Sequence, residues 1–166
     1  MFKIPLDVNG VLAITPRPRG GDWLEDDVRR WSLHGVGIIV SLLNDDENGE
    51  LALEQEASLC RAIGIDFVSL PVPDLGVPSD AAAFIARVHA LAARLRDGAS
   101  VAVHCRQSVG RSGLLSVSIA VACGCALPAA IDLVTRARGV TVPETAVQRE
   151  WLRAHVSSLA GAAATS

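Results

Sequence analysis

The chain has no tyrosine and a single methionine, and aromatic residues fill only 4% of its 166 positions. That excludes an interior built mainly from rings. With 50% hydrophobic residues, the core has to be assembled from Ala, Val, Leu and Ile. Lysine is nearly missing too. Of fifteen basic residues only Lys3 is a lysine, and the net charge is −3; this argues against the broad positive surface that nucleic acid or an anionic membrane requires. Long apolar runs are also lacking. The stretch from Leu114 to Leu127 is too short to cross a bilayer. No internal repeat stands out. Asp and His are not paired as a metal ligand set, and His34, His89 and His155 stand alone on helical segments, so neither a metal nor a cofactor is expected.

Four cysteines remain: Cys60, Cys105, Cys123 and Cys125. Met1-Phe2-Lys3-Ile4-Pro5 leads into charged and turn residues without an apolar leader, and a reduced, cytoplasmic setting is the expectation. Cys123-Gly124-Cys125 lacks the two-residue spacer and the second ligand pair of a metal or redox motif. Cys60 is a conceivable trap for an oxidised Cys105, but its place in a helical segment gives no positive sign of that.

Length predicts one domain, residues 1–157, followed by a small, polar, frayed tail from Ser158 to Ser166. Apolar runs predict strands at Val11–Thr15, Val36–Leu43, Ile65–Val72 and Ser100–His104. Helices are expected from an Asp22 cap through Trp23, Leu24, Val28 and Trp31, over Glu50–Ile63, from a Ser79 cap to about Arg96, and over Leu114–Val121, Leu127–Arg138 and Thr145–Ser157. Asn44–Gly49 reads as a polar loop. The alternation predicts an α/β fold: a mostly parallel central sheet flanked by helices on both faces. Ligands in such sheets bind beyond the carboxyl ends of the strands.

One such end carries His104-Cys105-Arg106-Gln107-Ser108-Val109-Gly110-Arg111-Ser112-Gly113. The run lies between a buried strand and a helix start. Unpaired amides and the helix dipole there suit a phosphate-sized anion, with Arg106, Gln107, Ser108, Val109 and Gly110 forming its cup. Gly110 lets the backbone curl. Arg111 supplies a planar, two-pronged donor that lysine cannot copy. The same field favours the thiolate of Cys105, the form that acts as a nucleophile.

This stretch resembles the cysteine-dependent protein tyrosine and dual-specificity phosphatases, whose signature is His-Cys, five residues, then Arg and Ser or Thr. His104, Cys105, Gly110, Arg111, Ser112 and Gly113 match it. Weaker likeness at Gly20-Gly21-Asp22-Trp23, Gly37–Leu42 and Pro71–Pro78 extends the resemblance over about residues 10 to 156, toward the small branch that includes kinase-associated phosphatase. The family usually has glycine where this chain has Ser108.

Cleavage of a phosphate ester by a thiolate needs a proton for the departing oxygen. Asp74, 31 residues before Cys105, sits on a proline-rich loop after a strand expected to run beside Ser100–His104. The resembled family carries its general acid on an equivalent loop. Asp80 is the rival, but the first turn of a helix explains it. By resemblance His104 orders the loop, Ser112 eases departure of Cys105, and Gln148 positions the hydrolytic water, although a helix-surface glutamine is an equal account. The implied activity is hydrolysis of a phosphorylated protein or another phosphomonoester, with shallow, dual-specificity behaviour. A catalytically weak phospho-binding module and a rhodanese-like sulfurtransferase are the alternatives.

Overall fold

The computed structural model describes residues 1–161; the expected tail beyond Gly161 lies outside the described residues. Five strands form one sheet: β1 (Phe2–Ile4), β2 (Val11–Ile14), β3 (Ile38–Ser41), β4 (Asp66–Ser69) and β5 (Ser100–His104). Their order is β1-β2-β5-β3-β4. All pairings are parallel except β1 with β2. β5 is central, so its carboxyl end opens at the middle of the sheet. β4 does not pair with β5, contrary to the expectation for the strand before Asp74. β3 lies between them.

The helices are α1 (Leu24–Leu33), α2 (Asp45–Glu50), α3 (Glu56–Ala62), α4 (Ala81–Arg96), α5 (Gly110–Ala122), α6 (Leu127–Arg138) and α7 (Ala146–Ala160). The two faces follow the period of the strands. Ile38, Val40, Val101 and Val103 join the larger cluster with α4, α5 and α7, while Ile39 and Ala102 pack with Leu24, Val28 and Trp31 of α1 and Cys60 of α3. Every residue of α5 is buried. It is therefore a core helix that carries the loop on its amino end.

Several local expectations are corrected. β1 has only three residues and gave too short a signal. Trp23 ends a short 3-10 turn and is exposed rather than part of the α1 stripe. Asp80, not Ser79, caps α4, accepting from the Ala83 N–H at 3.0 Å. The Asn44–Gly49 stretch is largely helical: Asn44 Oδ1 accepts from the Glu47 N–H at 2.8 Å, and the Asn44 N–H donates to Glu47 Oε2 at 3.2 Å. This reciprocal cap holds a polar helix that composition alone disguises as loop. The helix expected over Glu50–Ile63 is split by turns and begins at Glu56. α7 runs through Ala160, past Ser157, because Leu159 is buried.

Candidate active site

β5 delivers Cys105 to the sheet's carboxyl end, and the next turn of chain folds back over its sulfur. The Ser108 N–H donates to Cys105 Sγ at 3.2 Å. Val109, the residue before α5, offers no side-chain cap, so the amides of the first helical turn are left for an anion. The left-handed residue of the loop is Ser108, with φ +57°, and not Gly110. Its hydroxyl is turned away from the cup and donates to the Thr15 carbonyl at 2.6 Å. A serine thus occupies a conformation that favours glycine, and the hydrogen bond helps hold it there. Gly110 matters for a different reason: a Cβ there would lie 3.2 Å from both Gln148 Oε1 and Glu144 Oε2, so that these side chains would have to give way.

Arg111 is fully buried. Its Nη1 donates to Glu47 Oε2 at 2.7 Å and to the Leu42 and Val72 carbonyls, and its Nη2 donates to Glu47 Oε1 at 2.8 Å. Nη2 also meets Asp74 Oδ1 at 3.0 Å. Nε has no partner. The edge formed by Nε and Nη2 is therefore the one available to a ligand. Burial pulls the guanidinium's pKa down, but Glu47, the Cys105 sulfur and Asp74 outweigh it and leave the pKa raised. Glu47 in turn is held below the usual carboxylate range, first by the Arg111 hydrogen bonds and then by the Asn44 amide and Arg106.

Asp74 stands on the loop after β4, with its side chain 60% exposed. That loop is tied to α7: the Leu75 carbonyl accepts from Thr145 Oγ1 at 3.3 Å, and the Gly76 carbonyl accepts from Gln148 Nε2 at 2.9 Å. Gln148 is fully buried, which rules out the helix-surface reading. Its Oε1 accepts from the Thr145 N–H in a second capping box. A small cavity of about 50 Å³ is lined by Asp74, Leu75, Cys105, Gln107, Gly110, Arg111 and Glu144. Five of the residues expected at the site lie on its wall. Ser112 is buried beneath them, its hydroxyl without a hydrogen-bond partner.

His104 faces away from this cavity. Its Nε2 lies 2.8 Å from Glu56 Oε1, both side chains are buried, and the ring stacks on Trp31 with centroids 5.9 Å apart. Trp31 Nε1 donates to Thr15 Oγ1 at 3.3 Å, so one residue, Thr15, ties the ring stack to the Ser108 turn. Cys60 belongs to the apolar cluster on the same side as α1. Burial, aided by Glu56, pushes its thiol up to about 12, an inert state at neutral pH.

The sequence reading missed Glu47, Glu56 and Glu144. Asn44-Asp45-Asp46-Glu47 does carry a capping-box spacing that marks Glu47 as fixed. Glu56 and Glu144 have no comparable signal, since only the tertiary fold brings them to His104 and Gly110. Among the described residues no group of His, Cys, Asp and Glu could hold a metal ion.

Comparison with known proteins adds a family and a fold. The family model described as "Polymorphic toxin system, DSP-PTPase phosphatase" matches residues 15–125. Comparison with curated protein sequences gave no match. Among solved structures, kinase-associated phosphatase with its catalytic-site cysteine replaced by serine superposes with a TM-score of 0.84 at 20% identity, over 93% of this chain and 90% of that one. Tk-PTP in its active form gives 0.70 at 25% identity, over 92% and 95%. Human DUSP28 gives 0.64 at 19% identity, over 89% and 92%. The expected α/β architecture is thus that of these phosphatases, and with two thirds of its length under the family model the chain belongs to the DSP-PTPase phosphatase family of polymorphic toxin systems.

Proposed function

We propose that the chain is a dual-specificity-type protein phosphatase that works through a phosphocysteine. One observation carries this reading: Cys105, Arg111, whose Nε is unpartnered and whose Nη2 meets Asp74, and Asp74 itself all line a single small cavity at a helix amino terminus. In the first step the thiolate attacks phosphorus, an S–P bond forms, the ester P–O bond breaks, and Asp74 gives its proton to the leaving oxygen. In the second step Asp74 takes a proton from water as the water attacks phosphorus. The S–P bond breaks, and inorganic phosphate and thiolate are released. Arg111 and the loop amides hold the equatorial oxygens throughout. Ser112, whose buried hydroxyl has no hydrogen-bond partner, takes the role the family signature implies, easing departure of the sulfur.

In keeping with the dual-specificity resemblance, the substrate of this reading is phosphothreonine, phosphoserine or phosphotyrosine in a protein. All four cysteines are free, which suits a reducing compartment such as the cytoplasm. The family's description supplies the setting, a polymorphic toxin system.

The test is hydrolysis of aryl phosphates. Wild type should turn over, and Cys105→Ser should not. Asp74→Asn should lose about 10²–10⁴-fold on phenyl phosphate and far less on nitrophenyl phosphate, whose oxyanion leaves unaided. Equal losses on the two leaving groups would remove Asp74 as the acid. More than a few per cent of turnover in Cys105→Ser would remove Cys105 as the nucleophile.

A further inference from the structure

Glu144 lines the catalytic cavity together with Cys105, Arg111 and Asp74, and the two chemical steps above give it no task. Its Oε2 lies close to Gly110, the first residue of α5, where a Cβ would be only 3.2 Å away. A carboxylate on the wall of a cup for anions repels the phosphate that has to enter. Asp74 escapes this objection, because it is paired with Arg111 at 3.0 Å and, on the reading above, carries a proton when the ester is bound. Glu144 has no such partner. Among the described residues no cation reaches its carboxylate, and the neighbouring Arg149 donates instead to the Pro143 and Glu144 carbonyls at 2.9 and 3.2 Å.

Two local accounts fall short. Glu144 precedes the Thr145 cap of α7, where the helix dipole favours a negative charge; this explains the sign of the residue but not its place on the wall of the cavity. Gln148, also close to Gly110, has both polar atoms engaged, Oε1 with the Thr145 N–H at 3.3 Å and Nε2 with the Gly76 carbonyl at 2.9 Å. The surroundings are apolar and open. Leu75, another residue of the cavity wall, and Val147, three residues after Glu144, are both exposed. Thr145 Oγ1 donates to the Leu75 carbonyl at 3.3 Å, which holds Leu75 against the residue that follows Glu144. A bare carboxylate near exposed aliphatic side chains suits a long side chain with an apolar stem and a cationic head.

We propose that Glu144 receives a basic side chain of the substrate, so that the preferred substrate is a phosphorylated residue with an arginine or lysine beside it. The inference rests on the phosphatase reading above and adds the substrate class. Phosphate and cation then enter together, and the pair is matched by Arg111 on one side of the cavity and Glu144 on the other. A substrate without the cation meets the same cup with the repulsion uncompensated.

The experiment compares kcat/KM for peptides with one phosphothreonine or phosphotyrosine and a single arginine at the first or second position on either side, each against its twin with glutamine there. Wild type should prefer arginine at one or more of these positions by about three- to tenfold, and less so as salt rises from about 50 to 300 mM. Because each enzyme is judged by its own ratio, a general change in activity cancels. Glu144→Gln should bring the ratio close to one, and Glu144→Lys should turn it around, toward a twin with glutamate at the same position. No arginine preference in wild type, or one that survives Glu144→Gln, would overturn the proposal. So would a loss in Glu144→Gln shared equally by both twins, which would give the carboxylate to the attacking water instead. Should wild type hydrolyse none of the peptides, the phosphatase reading fails separately. Binding of the same peptides to Cys105→Ser then decides the role of Glu144: tighter binding of the arginine peptide, lost when Glu144→Gln is added, supports the proposal, and equal binding overturns it.

Discussion

Arg111 uses both sides of its guanidinium at once. Glu47 grips Nη1 and Nη2 from behind, and the Nε–Nη2 edge is left toward Cys105. Lysine can satisfy one of these demands but not both, so Arg111→Lys should lower turnover on the order of 10²-fold or more, read in steady-state kinetics on an aryl phosphate. Near-normal kinetics would mean that the guanidinium is not the phosphate clamp. Ser108 is held at φ +57° by its bond to the Thr15 carbonyl. Removing the hydroxyl while keeping a Cβ exposes the strain. Ser108→Ala should therefore unfold at a lower temperature than Ser108→Gly, by the equivalent of about 1–2 kcal/mol, while Ser108→Gly stays near wild type in turnover. The reverse order in thermal melts would show that the turn does not depend on that bond. The sequence displays an unexpected serine at this point, but neither its φ nor the direction of its hydroxyl, because both are set by Thr15, 93 residues away in the chain.

At the scale of elements, two sets of contacts hold the segments around the site together. A Cβ at Gly113 would lie 2.7 Å from the Val142 Cβ, and Val142 is buried. Gly113→Ala should force apart α5 and the segment leading to Glu144, costing about 1–3 kcal/mol in a denaturant titration. An unchanged midpoint would mean that the segment yields freely. α7 holds the acid loop through Gln148 and Thr145. Gln148→Ala should therefore act as a weaker copy of Asp74→Asn, with turnover falling about tenfold on phenyl phosphate and little on nitrophenyl phosphate. A loss equal on both leaving groups would argue for a role with water in the second step instead. The strand, loop and helix around Cys105 are legible in the sequence because their signals are local and contiguous. α2 is not, since its polar residues face solvent and its one buried side chain, Glu47, is buried by an arginine 64 residues away.

For the molecule as a whole, the order β1-β2-β5-β3-β4 sets the strand that leads into Cys105 at the centre and draws partners from most of the chain. Alternating apolar runs reveal the parallel sheet and its two helical layers. They say nothing about which acids sit behind Arg111 and His104, because a carboxylate on a polar stretch looks the same whether it meets water or a guanidinium. Glu47 also gives stability a pH dependence. Its carboxyl is held below the ordinary value of 4.5 in the folded chain, so it contributes fully above that value and the contribution fades as pH falls through the folded one. Melting temperatures from neutral to strongly acidic pH should drop less steeply in Glu47→Gln than in wild type, from a lower starting point. Parallel curves would place the acid sensitivity elsewhere.

The ion pair between Asp74 and Arg111, at 3.0 Å, has a further consequence. A carboxylate already occupies part of the edge that a phosphate has to take, so the resting protein carries its own competitor. Under the proposed mechanism, substrate has to displace Asp74 from Arg111 before Asp74 can serve as the proton carrier. On the same proposal, once only inorganic phosphate remains the return of Asp74 to Arg111 would help expel it, and each cycle would close with one anion replacing another.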